Sequence, residues 1–153
     1  MCGFFFAYDN SNKLSPIEIK AYKKAVSSLS HRGPDGSGWK AFDNCILGHR
    51  RLSFLVLSTQ SAQPMSSPDN RFHLAFNGEI YNYLELRKEL ERHGFKFFST
   101  GDTEVLLNAI IFWGLEAFDK LDGMFAGVFF DNFKNEVLFF RDRLGQKPLY
   151  YSQ

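Results

Sequence analysis

In the stretch RFHLAFNG, residues 71–78, Phe72, Leu74 and Phe76 occupy every second position. A period of two puts them on one face of a β-strand, and the run stops at the turn-forming pair Asn77-Gly78. Such a face must be covered by a second layer. Other segments of the same kind are present to build the sheets. CGFFFAY (2–8) is a short, apolar, aromatic run that reads as a buried strand, and CILGHRRLSFLVL (45–57) reads as strand material. MFAGVFFD (124–131) and EVLFFR (136–141) read as two strands joined by a hairpin turn through DNFKN. FKFF (95–98) reads as a short strand, and a further one begins near 148–152.

Three helices lie among these strands. Ser15-Pro16 opens the first, Ser as N-cap and Pro at the first helical position, with Ile19, Tyr22, Val26 and Leu29 at helical spacing. YLELRKELERHG (83–94) follows Asn82 as its N-cap and has Gly94 as its C′ residue. TEVLLNAIIFWG (103–114) is capped by Asp102 and ends at Gly114. HRGPDGSGW (31–39), broken by Gly and Pro, reads as a loop, and STQSAQPMSSPDN (58–70) as a polar connection. Strands toward both ends with helices between them predict helices packed on sheets, in one domain over 1–153.

A net charge of +1 offers no electrostatic reason to expect nucleic acid or an acidic membrane surface. No run approaches the ~20 apolar residues that span a bilayer. FFFA is too short for a secretory signal and has nothing basic before it, so the cytoplasm is the expected compartment. Two cysteines, Cys2 and Cys45, do not make a disulfide-stapled secreted scaffold.

Cys2 directly follows the initiator methionine. A thiol attacks as the thiolate, so a base must take its proton. If Met1 is removed, Cys2 carries a free α-amine with a reference pKa of about 7.7–8.0, and one residue supplies both nucleophile and base. While Met1 stays attached, that nitrogen is a peptide nitrogen and cannot act. Taken alone, a cysteine at the start of an apolar strand is more often a small buried hydrophobe, and palmitoylation lacks a second membrane signal.

The motifs MCGFFF, HRGPDGSG (31–38), GHRRLSF (48–54), FNGEIYNY (76–83), TGDTEVLL (100–107), GMFAGVFFD (123–131) and RDRLGQKPLYY (141–151) occur together in this order. With them the chain resembles the N-terminal glutaminase domain of glutamine-hydrolysing asparagine synthetases, class II glutamine amidotransferases with an N-terminal nucleophile. The resemblance implies an α+β fold, a four-layer αββα sandwich of two antiparallel sheets of the N-terminal nucleophile hydrolase type. It also implies that the last strands of the domain lie beyond these residues.

The resemblance makes Cys2 the nucleophile, and the Asn77 side-chain amide with the Gly78 backbone N–H the oxyanion donors. As an isolated pair, Asn77-Gly78 would read as a turn. The zwitterionic end of glutamine calls for a cation and an anion held apart. Arg51, directly before Leu-Ser, is placed on the α-carboxylate and Asp102 on the α-ammonium; Arg50 is expected in solvent. N-capping is the competing task for Asp102, and Glu104 is expected to favour the helix dipole. Arg32 is assigned either a place behind the residues that touch substrate or a place in the loop that closes over it, while Glu79 and Asn82 help line the pocket. His31 and His49 invite a Cys–His dyad or a metal site, yet no pair of ligand types shows metal spacing, so both read as structural hydrogen-bonders. HRGPDGSG lacks the ending of a phosphate loop, and Cys45 reads as core.

The implied reaction is hydrolysis of L-glutamine to L-glutamate and ammonia through a Cys2 thioester. No metal and no cofactor is expected in this domain. ATP and Mg are expected only in a synthetase domain, here absent, where ammonia amidates aspartate; that domain, or a partner chain supplying it, is the implied partner. A homodimer is compatible with the resemblance. Two alternatives stay open: an amidotransferase whose acceptor is a sugar acid or natural-product intermediate, and a non-catalytic remnant.

Overall fold

Alternation along each strand decides which side of its sheet a residue takes, and the structure, a computed structural model, follows it closely. It describes residues 2–10, 12–52 and 62–152. Strands β1 (Gly3–Tyr8), β2 (Gly36–Ala41) and β3 (Cys45–Arg51) form an antiparallel sheet in the order β1-β3-β2. A second antiparallel sheet has the order β4-β5-β6-β7, from Met65–Ser66, Phe72–Ile80, Gly123–Asp131 and Glu136–Arg141.

On β5, Leu74, Phe76 and Ile80 face outward, into a core shared with Leu86 and Leu90 of α2 (Tyr83–Arg92) and Val105, Leu106 and Ile110 of α3 (Asp102–Trp113). The alternate residues face the other sheet, where Ala75 joins Leu47 and Val128, with Phe4 and Phe6 packed against them. Helix α1 (Pro16–Ser28) covers the outside of the first sheet. There Tyr22 meets Phe5 with ring centroids 5.8 Å apart, and Lys23 lies 3.6 Å over the Trp39 ring. The four layers are helix, sheet, sheet, helix, as the resemblance implies. A short α4 (Ala117–Lys120) leads into β6. No helix among the described residues is long and apolar enough to cross a membrane.

Local differences have local causes. The loop expected over 31–39 is shorter, because Gly36 already pairs with Arg51 and begins β2. β3 ends at Arg51; positions 53–57 of the expected strand, 58–61 of the connection and Met1 lie outside the described residues. Residues 95–98 form no strand. Instead Phe98 N–H and Ser99 N–H donate to the buried Glu104 carboxylate, at 3.0 and 2.7 Å, so Glu104 shapes the turn before α3. No strand forms at 148–152 either. The Asp142 carboxylate gathers the N–H groups of Phe125, Gln146 and Lys147 and folds the chain into a turn. Against the pull of burial, these donors hold the Asp142 carboxyl below its ordinary value.

Asn82 stands at the N-cap of α2 without a capping bond. Its side chain ties Lys120 O and Asp122 N, while Gly94, at φ 90°, follows the helix as expected. Ser15 caps α1 as expected, within a full capping box that the sequence reading did not include: Ser15 Oγ accepts Glu18 N–H and Glu18 returns to Ser15 N–H at 2.8 Å. Ser15→Ala is therefore expected to lower stability by about 1 kcal/mol in denaturant unfolding, with an unchanged slope.

Candidate active site

The space between the sheets is built in rows. On the first sheet Phe6, Leu47 and Lys40 stand opposite one another; Phe4, His49 and Gly38 form the next row. One step past the pair Gly3↔Arg50, the same register sets Cys2 opposite Arg51, which pairs with Gly36. On the second sheet, β5 runs past these rows in the same sense. Lys40 Nζ donates to Ser66 Oγ at 2.5 Å, and Ser66 Oγ lies 2.7 Å from His73 Nδ1. Leu47 then packs with Ala75. The following inward residue of β5 is Asn77, buried, at the Cys2–Arg51 end. Sheet packing thus brings Cys2, Arg51 and Asn77 to one end of the interlayer, with exposed Glu79 beyond them at its rim.

The donors follow from the shortness of β4. It pairs with β5 only at His73 and Leu74. Beyond that, the antiparallel ladder sends alternate N–H groups of β5 to its open edge, those of Phe76, Gly78 and Ile80. Phe76 N–H donates to Gln63 Oε1 at 2.7 Å and Ile80 N–H to Asp102 Oδ2 at 3.0 Å. Between them, Gly78 N–H meets no acceptor among the described residues. Gly78 sits opposite Phe125, and a Cβ there would lie 2.1 Å from Met124 O. Only glycine fits.

Cys2 is half-buried and Cys45 fully buried; neither is in a disulfide. The Cys2 sulfur accepts the Leu52 N–H at 3.4 Å, a donor that a thiolate would retain. Burial pushes the Cys45 thiol up to about 12, which leaves it a core residue. The Arg51 stem lies across Gly36, at 3.4 Å from where a Cβ would stand. Arg50 points to the other face and is not free in solvent, since its Nε donates to Gly33 O at 3.0 Å. Arg32 also lies on that outer face, its Cβ 3.2 Å from where a Gly3 Cβ would be, so it supports the chain beside Cys2 instead of meeting the thiol.

Asp102 is the first residue of α3; Gly101 takes the N-cap position, and the Asp102 carboxylate is turned to β5. Desolvation, reinforced by the Glu79 charge, raises its pKa against three backbone N–H bonds. Among the described residues no cation pairs with it. His49 is buried, its Nε2 without a partner among the described residues, and burial lowers its pKa to about 4, so it is neutral at pH 7. His31 is exposed with Nδ1 3.1 Å from Ser28 O. Among the described residues no three His, Cys, Asp or Glu side chains are grouped to hold a metal ion. An open polar cleft of about 640 Å³, lined by Asp9, Lys13, Asp43 and Asn135 among others, contains none of the expected site residues. Sequence reading missed Gln63, because its bond to Phe76 joins positions 13 apart by a contact no local pattern marks.

The raised Asp102 pKa means that the folded state holds this proton more tightly than the unfolded chain. The ionised form therefore costs stability once the pH rises past the ordinary carboxylate range and through the raised value. Asp102→Asn keeps an acceptor for Ile80 N–H and removes that cost. Its Tm is expected above that of the wild type at pH 7, with the difference closing as the pH falls below about 4.

The architecture and the chain have known counterparts. A family model described as a glutamine amidotransferase domain matches residues 1–153. Asparagine synthetase [glutamine-hydrolyzing] 1 of Bacillus subtilis is 39% identical over 154 residues, spanning 99% of this chain and 24% of its own length. Asparagine synthetase B [glutamine-hydrolyzing] of Escherichia coli is 42% identical over 153 residues, 98% of this chain and 26% of its own. The chain thus spans about a quarter of the length of these relatives. Among solved structures, the glutamine phosphoribosylpyrophosphate amidotransferase of B. subtilis superposes with a TM-score of 0.64 at 22% identity, over 86% of this chain and 35% of that one, a likeness of fold. Matched from end to end by the family model, the chain belongs to the glutamine amidotransferase domain family.

Proposed function

We propose that this chain hydrolyses L-glutamine to L-glutamate and ammonia, and that the ammonia serves the amidation of aspartate in a synthetase domain or partner chain. The observation that carries the reading is the Gly78 N–H on the edge of β5, which has no acceptor among the described residues. It lies beside Asn77, at the end of the interlayer that also holds Cys2 and Arg51.

With Met1 removed, the Cys2 α-amine takes the thiol proton and the sulfur attacks the side-chain amide carbon. Asn77 Nδ2–H and Gly78 N–H receive the charge that develops on the amide oxygen. The amine returns its proton to the leaving nitrogen, the C–N bond breaks, and ammonia departs from a γ-glutamyl thioester. Water, deprotonated by the same amine, then attacks the thioester carbon; the C–S bond breaks and glutamate and the thiol are restored. Arg51 takes the α-carboxylate bidentately and the desolvated Asp102 the α-ammonium, with Glu79 adding negative field at the rim. Arg32 steadies the β1 main chain next to the nucleophile. ATP and Mg belong, on this proposal, to the synthetase domain. Aspartate is assigned as acceptor because the relatives at 39% and 42% identity are asparagine synthetases. Two unlinked thiols are in keeping with a cytoplasmic setting.

A glutamine-mimicking diazoketone should label Cys2 and leave Cys45 untouched, as read by peptide mapping. Folded, Met1-free protein with an unmodified Cys2 would sink the proposal. Asn77→Ala should lower kcat about 10²–10³-fold with the fold intact, and turnover near the wild-type rate would remove Asn77 from the oxyanion site.

A further inference from the structure

The start of α3 is anchored from behind. Gly101 occupies the N-cap position in extended conformation and has no side chain with which to cap the helix. Glu104 stands at the third helical position, from which a glutamate ordinarily returns to the N-cap N–H. Here it reaches further back. Its Oε2 accepts Ser99 N–H at 2.7 Å and Ser99 Oγ–H at 2.6 Å, and its Oε1 accepts Phe98 N–H at 3.0 Å. From the other side Arg87, on α2, donates from Nη1 to Ser99 O at 2.7 Å. The N–H, hydroxyl and C=O of Ser99 are therefore all engaged, and both Ser99 and Glu104 are buried.

Asp102 follows Ser99 by three residues, and its carboxylate accepts Ile80 N–H at 3.0 Å from the end of β5. Residues two apart on a helix point about 200° apart, so Asp102 and Glu104 leave α3 toward opposite sides. One reaches the strand that carries Asn77 and Gly78; the other reaches the turn before the helix. The first turn of α3 joins the two carboxylates, and the anchored Ser99 sets where that turn lies. A neutral Ser or Thr at the N-cap would start the helix without burying a carboxylate. What Glu104 adds is a fixed place for the turn, and with it for Asp102.

We propose that Glu104 and Arg87 are positioning residues for the amino-acid end of glutamine, holding Ser99 from both sides so that the Asp102 carboxylate stands at the end of β5 where the α-ammonium binds. The inference rests on the glutaminase reading above, in which Asp102 receives that ammonium. Neither side chain touches the substrate; each acts through Ser99 and the start of α3. Asn77 and Gly78 belong to β5 and are not held by Ser99. Loss of the anchor should therefore weaken glutamine binding and leave the chemical step near its normal rate.

The test uses the chain with Cys2 at its N-terminus. Glu104→Gln keeps the shape but turns an NH2 group toward the donors, and is expected to raise KM for glutamine about 10-fold with kcat within about threefold. Arg87→Met, which keeps an unbranched stem and loses the donor, should act in the same direction, and Arg87→Lys should recover most of the affinity. A double-mutant cycle on kcat/KM isolates the route: in the Asp102→Asn background, Glu104→Gln should cost less than about twofold. In the ligand-free protein the Ile80 amide resonance should shift in Glu104→Gln and Arg87→Met, and less in Arg87→Lys. Unchanged KM in folded Glu104→Gln, whatever its Tm, overturns the proposal, as does an equal loss of kcat/KM in the two backgrounds. The Arg87 variants decide it if Glu104→Gln does not fold. A wild-type chain that turns over no glutamine overturns the glutaminase reading instead, and the Ile80 amide then decides the positioning by itself.

Discussion

A backbone N–H removed from water must find an acceptor, and the early end of β4 creates three that the ladder cannot serve. The open edge of β5 at Phe76, Gly78 and Ile80 is the constraint on which the rest of the site depends. Gln63 and Asp102 each bring a side-chain oxygen to it from a different element. Asp102 thereby reaches from the start of its helix to the strand end. A longer β4 would satisfy all three groups with main-chain carbonyls and leave nothing for a ligand.

The two sheets are held in the alignment this edge requires by contacts well away from it. Phe42 packs its ring 4.5 Å from that of His73 and 5.0 Å from that of Phe130. Lys40, Ser66 and His73 join β2, β4 and β5 through hydrogen bonds. Burial lowers the His73 pKa to about 4, with the Lys40 charge acting in the same direction, so the link is built on a neutral ring. A two-residue slip of either sheet would move Asn77 from the Cys2 row to the His49 row, because side chains repeat with that period.

Much of this was legible in the chain. Period-two runs marked the long strands, Ser15-Pro16 and Gly94 marked helix ends, and the ordered motifs pointed to Cys2, Arg51, Asn77, Gly78 and Asp102. The misread segments share one cause. FKFF at 95–98 and the stretch at 148–152 carry strand-like side chains, but the buried Glu104 carboxylate claims the N–H groups of Phe98 and Ser99, and the buried Asp142 carboxylate turns the chain at Gln146 and Lys147, just before 148. A local pattern does not reveal a partner that reaches in from another element. Gln63 stayed hidden for that reason. Arg50 was read as a solvent residue, whereas its Nε donates to Gly33 O on the outer face.

The strand register that seats Cys2 also decides how the chain meets oxidants. Cys45 pairs with Tyr8, at the far end of β1 from Cys2, and six residues of extended chain separate the two thiols by about 20 Å. A disulfide needs its Cα atoms within about 7 Å. A sulfenic acid formed on Cys2 would therefore not be resolved by Cys45.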